Sequence, residues 1–94
     1  MKSYALSGRG ASWRVIVRND DRSTFDHVAR TLARYVPAVT LERGHELAHA
    51  IHDSGQAVVF SGDQEVAERY WDQLEGAGLV VAPLSNSMSV HLRT

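Results

Sequence analysis

Cysteine is missing from this chain of 94 residues. That excludes disulfide staples and any metal site built on thiolates. An excess of charge of one sign is missing as well: ten Lys and Arg stand against eleven Asp and Glu, a formal net charge of −1. Basic residues are nowhere massed into a run, which excludes the usual phosphate-tracking surface, so no nucleic acid is expected as a partner. No apolar stretch approaches the ~20 residues of a membrane span, so no membrane is expected either. Met1 to Ser12 (MKSYALSGRGAS) lacks the apolar segment of a secretory signal, and the expected compartment is cytoplasmic. The Gly8-Arg9-Gly10 piece precedes a strand instead of following one, the wrong context for a dinucleotide-binding loop. What is present is an ordinary globular balance, 44% apolar and 22% charged, in a length suited to one domain with a modest core.

Residues 1–12 read as a flexible arm, 13–84 as the core and 85–94 as a polar tail, with a weak extra strand at 88–92. Trp13 to Arg18 alternates as a strand, with Trp13, Val15 and Val17 on one face and Arg14 and Arg18 on the other. Asn19-Asp20-Asp21 stops it. Ser23 or Thr24 caps a first helix, with Asp26 as capping-box partner of Ser23. Phe25, Val28, Ala29, Leu32 and Val36 follow at helical spacing until Pro37. Thr40 caps a second helix, and Gly55 closes it. Gln56 to Phe60 is a strand. Gly62-Asp63 opens a third helix with Val66, Ala67, Tyr70, Trp71 and Leu74 as its stripe. Leu79 to Ala82 is a last strand, stopped by Pro83. The order β-α-α-β-α-β predicts an α+β two-layer sandwich, with helices on one face of a small sheet.

The second helix carries the chemistry. His45-Glu46-Leu47-Ala48-His49 spells H-E-x-x-H, the zinc-hydrolase pattern in which two imidazoles one turn apart bind metal and the glutamate acts as base; His52 adds a third imidazole. On a helical wheel Leu41, Gly44, Leu47, Ala48 and Ile51 form the buried side. The histidines flank it and Glu46 points away. A metal-dependent hydrolase is thus one reading. Against it stand the short chain, the lack of a later ligand at a familiar spacing, and the frequency of so short a pattern. A solvated histidine face is a second reading. The third joins this helix end to Asn19-Asp20-Asp21, otherwise a turn and cap. An ammonium has three donors and no acceptor, so carboxylates, an amide oxygen and a neutral imidazole make a receptor for it. Phe25, Val28 and Ile51 are placed to line an apolar pocket beside it.

"VIVRNDDRSTFDHV", "LAHAIHDSGQAVV" and "EVAERYWDQLEGAGLVVAPL" together resemble ClpS, the adaptor family of the bacterial Clp protease, over Trp13 to Leu84. The T-F-x-H-V start of the first helix and the A-G-L-x-x-A-P-L ending look most like the cyanobacterial branch. The resemblance implies a three-stranded antiparallel sheet covered by three helices, as in the C-terminal domain of the ribosomal stalk protein. It implies a non-enzymatic monomer without cofactor or metal. Such a protein binds N-degrons, proteins with a free N-terminal Leu, Phe, Tyr or Trp. It delivers them to the N-terminal domain of the AAA+ unfoldase, ClpA or ClpC. Residue by residue, it implies that Asn19, Asp21 and His52 hold the α-amino group, with Asp20 in the same loop. Ser23 stands where Thr or Asn is usual, and Phe25 stands at the gate, often Met. Val28, Ala48, Ile51 and Leu79 or Val80 line the side-chain pocket, Ala48 replacing a common Met. Glu65 and Glu68 match the unfoldase-docking face, where Tyr70 replaces a frequent Lys. His52 is then the working histidine, and the zinc pattern is a coincidence. The arm is shorter than many in the family.

Overall fold

The computed structural model describes residues 12–86. Nearly all of the expected arm and the weak strand expected at 88–92 lie outside those residues. Alternation starts the fold. In β1 (Trp13–Arg18) Val15 and Val17 are buried and Arg18 faces out, since successive side chains of a strand point to opposite faces. There follow α1 (Phe25–Tyr35), α2 (Leu41–Ser54), β2 (Gln56–Gly62), α3 (Gln64–Gly76), β3 (Val80–Val81) and β4 (Ser85–Asn86). This is the expected α+β class: helices over an antiparallel sheet with β1 in the middle.

β3 falls within the strand expected at Leu79 to Ala82, and β4 adds an unexpected strand at the start of the expected polar tail, giving a four-stranded sheet. Both pair with β1, β3 at Val17 and Arg18 and β4 at Trp13 and Arg14. Between them the Ala82 N–H still donates to the Ile16 carbonyl at 2.8 Å, but the register slips by one residue. Pro83 sits at the break, and a proline has no N–H for the ladder. On the other edge, β2 carries a bulge opposite Val15 and Ile16. A bulge re-aims side chains. Here Val59 is buried and Phe60 also packs on the core, edge-on to Tyr70 at 4.9 Å.

Thr24 and Thr40 cap α1 and α2, each accepting a backbone N–H three residues on at 3.0 Å. The Ser23–Asp26 capping box does not form. Thr24 takes the cap, the Ser23 hydroxyl donates to Asp20 at 3.4 Å, and Asp26 pairs with Arg30 at 3.0 Å. Gly55 closes α2 at φ 90°, a left-handed turn that glycine adopts without a Cβ penalty. Leu41 was expected on the buried side but is half exposed. It opens α2, and the buried stripe begins only at Gly44. There the helices touch: a Cβ on Gly44 would lie 2.5 Å from the Ala29 carbonyl oxygen. One core cluster, including Val15, Val17, Leu32, Leu47 and Leu74, fills the space between the layers. Trp71 of α3 donates its indole N–H to the Ala82 carbonyl at 2.7 Å, tying that helix to the broken edge.

Candidate functional site

The end of β1, the start of α1, the last turns of α2 and the approach to β3 meet around a pocket of about 170 Å³. One backbone bond makes the junction. The Asn19 N–H donates to the Gly55 carbonyl at 2.8 Å. The left-handed Gly55 turns the chain from α2 into β2, which lies beside β1. The loop that follows β1 therefore abuts the last turn of α2, and residues more than thirty positions apart become neighbours.

Each residue expected at the site lines this pocket. From the loop come Asn19, Asp20, Asp21 and Ser23, and from α1 Phe25 and Val28. From α2 come Ala48, Ile51 and His52, and from the approach to β3 come both Leu79 and Val80. Glu65 and Glu68 are exposed on α3, outside the pocket, with Glu68 accepting from Gln64 at 3.1 Å. Val17 and Arg18 also line the pocket and were not anticipated. Both belong to the strand pattern, which shows which face a residue takes but not that the strand end closes a cavity.

The polar rim divides into groups used internally and groups left open. The Asp20 carboxylate accepts the Arg22 N–H at 3.0 Å and the Ser23 hydroxyl at 3.4 Å, and its side chain is only 13% exposed. Asp20 therefore shapes the loop. Asn19 and Asp21 are exposed, and among the described residues neither side chain has a hydrogen-bond partner or an ion pair. At His52 the nearby carboxylate is Asp53, with Nδ1 3.4 Å from Oδ1. A carboxylate only accepts, so in the tautomer that makes this contact Nδ1 carries the proton. In the neutral ring Nε2 then keeps its lone pair. Asp53 was also missed. The only sequence signal for it is its adjacency to His52. The opposite side is apolar: Val28, Ala48, Ile51 and Leu79 are buried.

Phe25 stands 39% exposed at this rim. Its ring centroid is 4.6 Å from that of His49, tilted by 50°, and 5.1 Å from that of His52, edge-on at 84°. The other parts of the zinc pattern point elsewhere. His45 Nε2 lies 3.9 Å from Asp26, and Glu46 accepts from Arg43 at 2.9 Å on the surface. Among the described residues no group of three or more His, Cys, Asp or Glu is arranged to hold a metal. An apolar pocket rimmed by an amide, a carboxylate and an imidazole acceptor is suited to a cation carrying a hydrophobic side chain.

Comparison with known proteins agrees along most of the chain. Residues 9–85 match the family model described as ATP-dependent Clp protease adaptor protein ClpS. The ClpS adapter of the cyanobacterium Thermosynechococcus vestitus is 51% identical over 73 residues, 78% of this chain and 78% of its own. That of a Nostoc species is 48% identical over 78% of this chain and 75% of its own. Among solved structures, Agrobacterium tumefaciens ClpS2 bound to L-phenylalaninamide superposes with a TM-score of 0.72. It is 23% identical and covers 83% of this chain and 99% of that one. With a family match spanning the core and relatives near half identity, this chain belongs to the ClpS family of Clp protease adaptor proteins.

Proposed function

We propose that this adaptor recognises the first residue of other proteins. A large hydrophobic side chain, Leu, Phe, Tyr or Trp, enters the pocket between Phe25, Val28, Ala48, Ile51 and Leu79. The free α-ammonium is held by Asn19, Asp21 and His52, with Asp20 and Ser23 giving the loop its shape. The captured protein is delivered to the AAA+ unfoldase, ClpA or ClpC, which docks on the α3 face carrying Glu65 and Glu68. The adaptor works as a cytoplasmic monomer, makes or breaks no covalent bond, and needs no metal.

The observation that carries this reading is the contrast at the rim. Asp20 is used up inside its loop, while Asn19 and Asp21 are left free beside an apolar pocket. The His52 ring is held at Nδ1 by Asp53 with Nε2 open. Accessible acceptors beside an apolar pocket suit a ligand that carries donors next to a hydrophobic side chain. The structurally similar Agrobacterium protein is bound to L-phenylalaninamide, a free α-amine next to a benzyl side chain, and this supports the same assignment here.

The test is a titration of a labelled peptide beginning with Leu, with its N-terminus free or acetylated. Acetylation removes the charge and two donors and adds a methyl group at the rim. The free peptide is expected to bind and the acetylated one to lose at least tenfold, the scale of a charge-assisted hydrogen bond of about 1.5–3 kcal/mol. Equal affinity for the two would overturn the proposal.

A further inference from the structure

His49 belongs to a motif that the pocket chemistry does not use. It does not line the pocket. Among the described residues it has no hydrogen bond or ion pair, and the interaction of its ring is with Phe25 at 4.6 Å. Phe25, in turn, needs something to hold it. It is the first residue of α1, directly after the Thr24 cap. Inside a helix the preceding turn restricts χ1. At the first position that turn is absent, so neighbours in space must select the ring's orientation. They are His49 and His52, one turn apart on α2, the first stacked at a tilt and the second edge-on. Two rings at different angles fix a third far better than one.

We infer that His49 is a positioning residue for Phe25, and that by pinning the ring at the pocket mouth it sets the exclusion of first residues branched at Cβ. This rests on the proposed reading of the pocket. With the amine at the polar rim, a ligand's Cβ must lie at the mouth, next to the Phe25 ring. Ile and Val carry an extra carbon there, while Leu and Phe do not. A pinned ring refuses that carbon. A ring free to swing makes room for it.

The experiment uses the whole chain and two peptides with free N-termini, differing only in Leu or Ile at the first position. The parent should bind the Leu peptide and discriminate against Ile. In His49→Ala, Leu affinity should hold within about threefold while the Leu-to-Ile ratio falls by about 2- to 10-fold, the scale of one aromatic pair. His49→Phe should restore the ratio. In a Phe25→Ala background, His49→Ala should not change the ratio further. The Phe25 ring-proton shifts of the free protein, followed by NMR, should move toward unstructured values in His49→Ala, and this readout is independent of any peptide. An unchanged ratio in His49→Ala, or equal losses for Leu and Ile, would overturn the inference and leave the binding reading intact. A parent that binds neither peptide would overturn both.

Discussion

His52 touches three things at once: Asp53 through Nδ1, the Phe25 ring through an edge-on contact, and the pocket. Its proposed work needs a neutral ring with the Nε2 lone pair free. Protonation removes that acceptor and sets a cation against the ligand's ammonium. Acid should therefore weaken binding, and affinities compared between about pH 8 and pH 5 test this. The side chain is 59% exposed, so water competes for the bond. His52→Ala should cost close to the lower end of about 1.5–3 kcal/mol, roughly tenfold in affinity. The measurement is the affinity of one Leu-terminal peptide across that pH range in parent and variant. The parent should weaken on the acid side and the variant should be flatter. Parallel curves would place the pH dependence on another group and remove His52 from the amine site.

Among the elements, the α1–α2 pair decides whether the pocket exists. α1 brings Phe25 and Val28, and α2 brings Ala48, Ile51 and His52. They pack tightly at Ala29 and Gly44, where a Cβ would lie 2.5 Å from a backbone carbonyl oxygen. Elsewhere in a helix, alanine for glycine gains about 1 kcal/mol in propensity. Here the obstacle is backbone, which cannot rotate aside, and overpacking costs about 1–3 kcal/mol or more. Net of that gain, Gly44→Ala should destabilise by up to about 2 kcal/mol and lower Tm by roughly 4–8 °C per kcal/mol in a chain of this size. It should also weaken peptide binding by prising the two walls apart. Thermal unfolding followed by circular dichroism checks this, and a Tm raised by the substitution would mean that the helices are not limited by this contact.

Across the whole molecule, the proposed recognition and docking sites occupy separate surfaces. The pocket is rimmed by the β1–α1 loop and the end of α2, whereas Glu65 and Glu68 project from α3 outside it. Exposed charges at the edge of an interface act mainly on association and are screened by salt. Reversing both, with Glu65→Lys and Glu68→Lys, should weaken binding to the unfoldase's N-terminal domain by about tenfold or more at low salt. Peptide affinity should stay within about twofold, since additivity holds for distant sites. Unfoldase binding measured by fluorescence anisotropy at two salt concentrations, alongside the peptide titration, separates the surfaces. Undiminished unfoldase binding would move the docking face elsewhere on the molecule.

The class of the fold and most of its punctuation were legible in the order of the residues. Strand alternation at Val15 and Val17, the Thr24 and Thr40 caps and the Gly55 stop are local physics, set by pleat, orphan N–H groups and a left-handed turn. Likeness to a family pattern named the residues around the pocket. The Ser23–Asp26 box misled because Thr24, one position on, competed for the same cap, and only the geometry of the loop settles such a contest. Leu41 misled because a helical wheel has no ends. The pairing of a further short strand beyond Pro83, and the β2 bulge that turns both Val59 and Phe60 inward, came from tertiary structure. It alone set Phe25 between His49 and His52. Periodicity reports which way a side chain faces, but not what it meets. That meeting depends on two close approaches between distant parts of the chain: Ala29 against Gly44, and the Asn19 N–H on the Gly55 carbonyl.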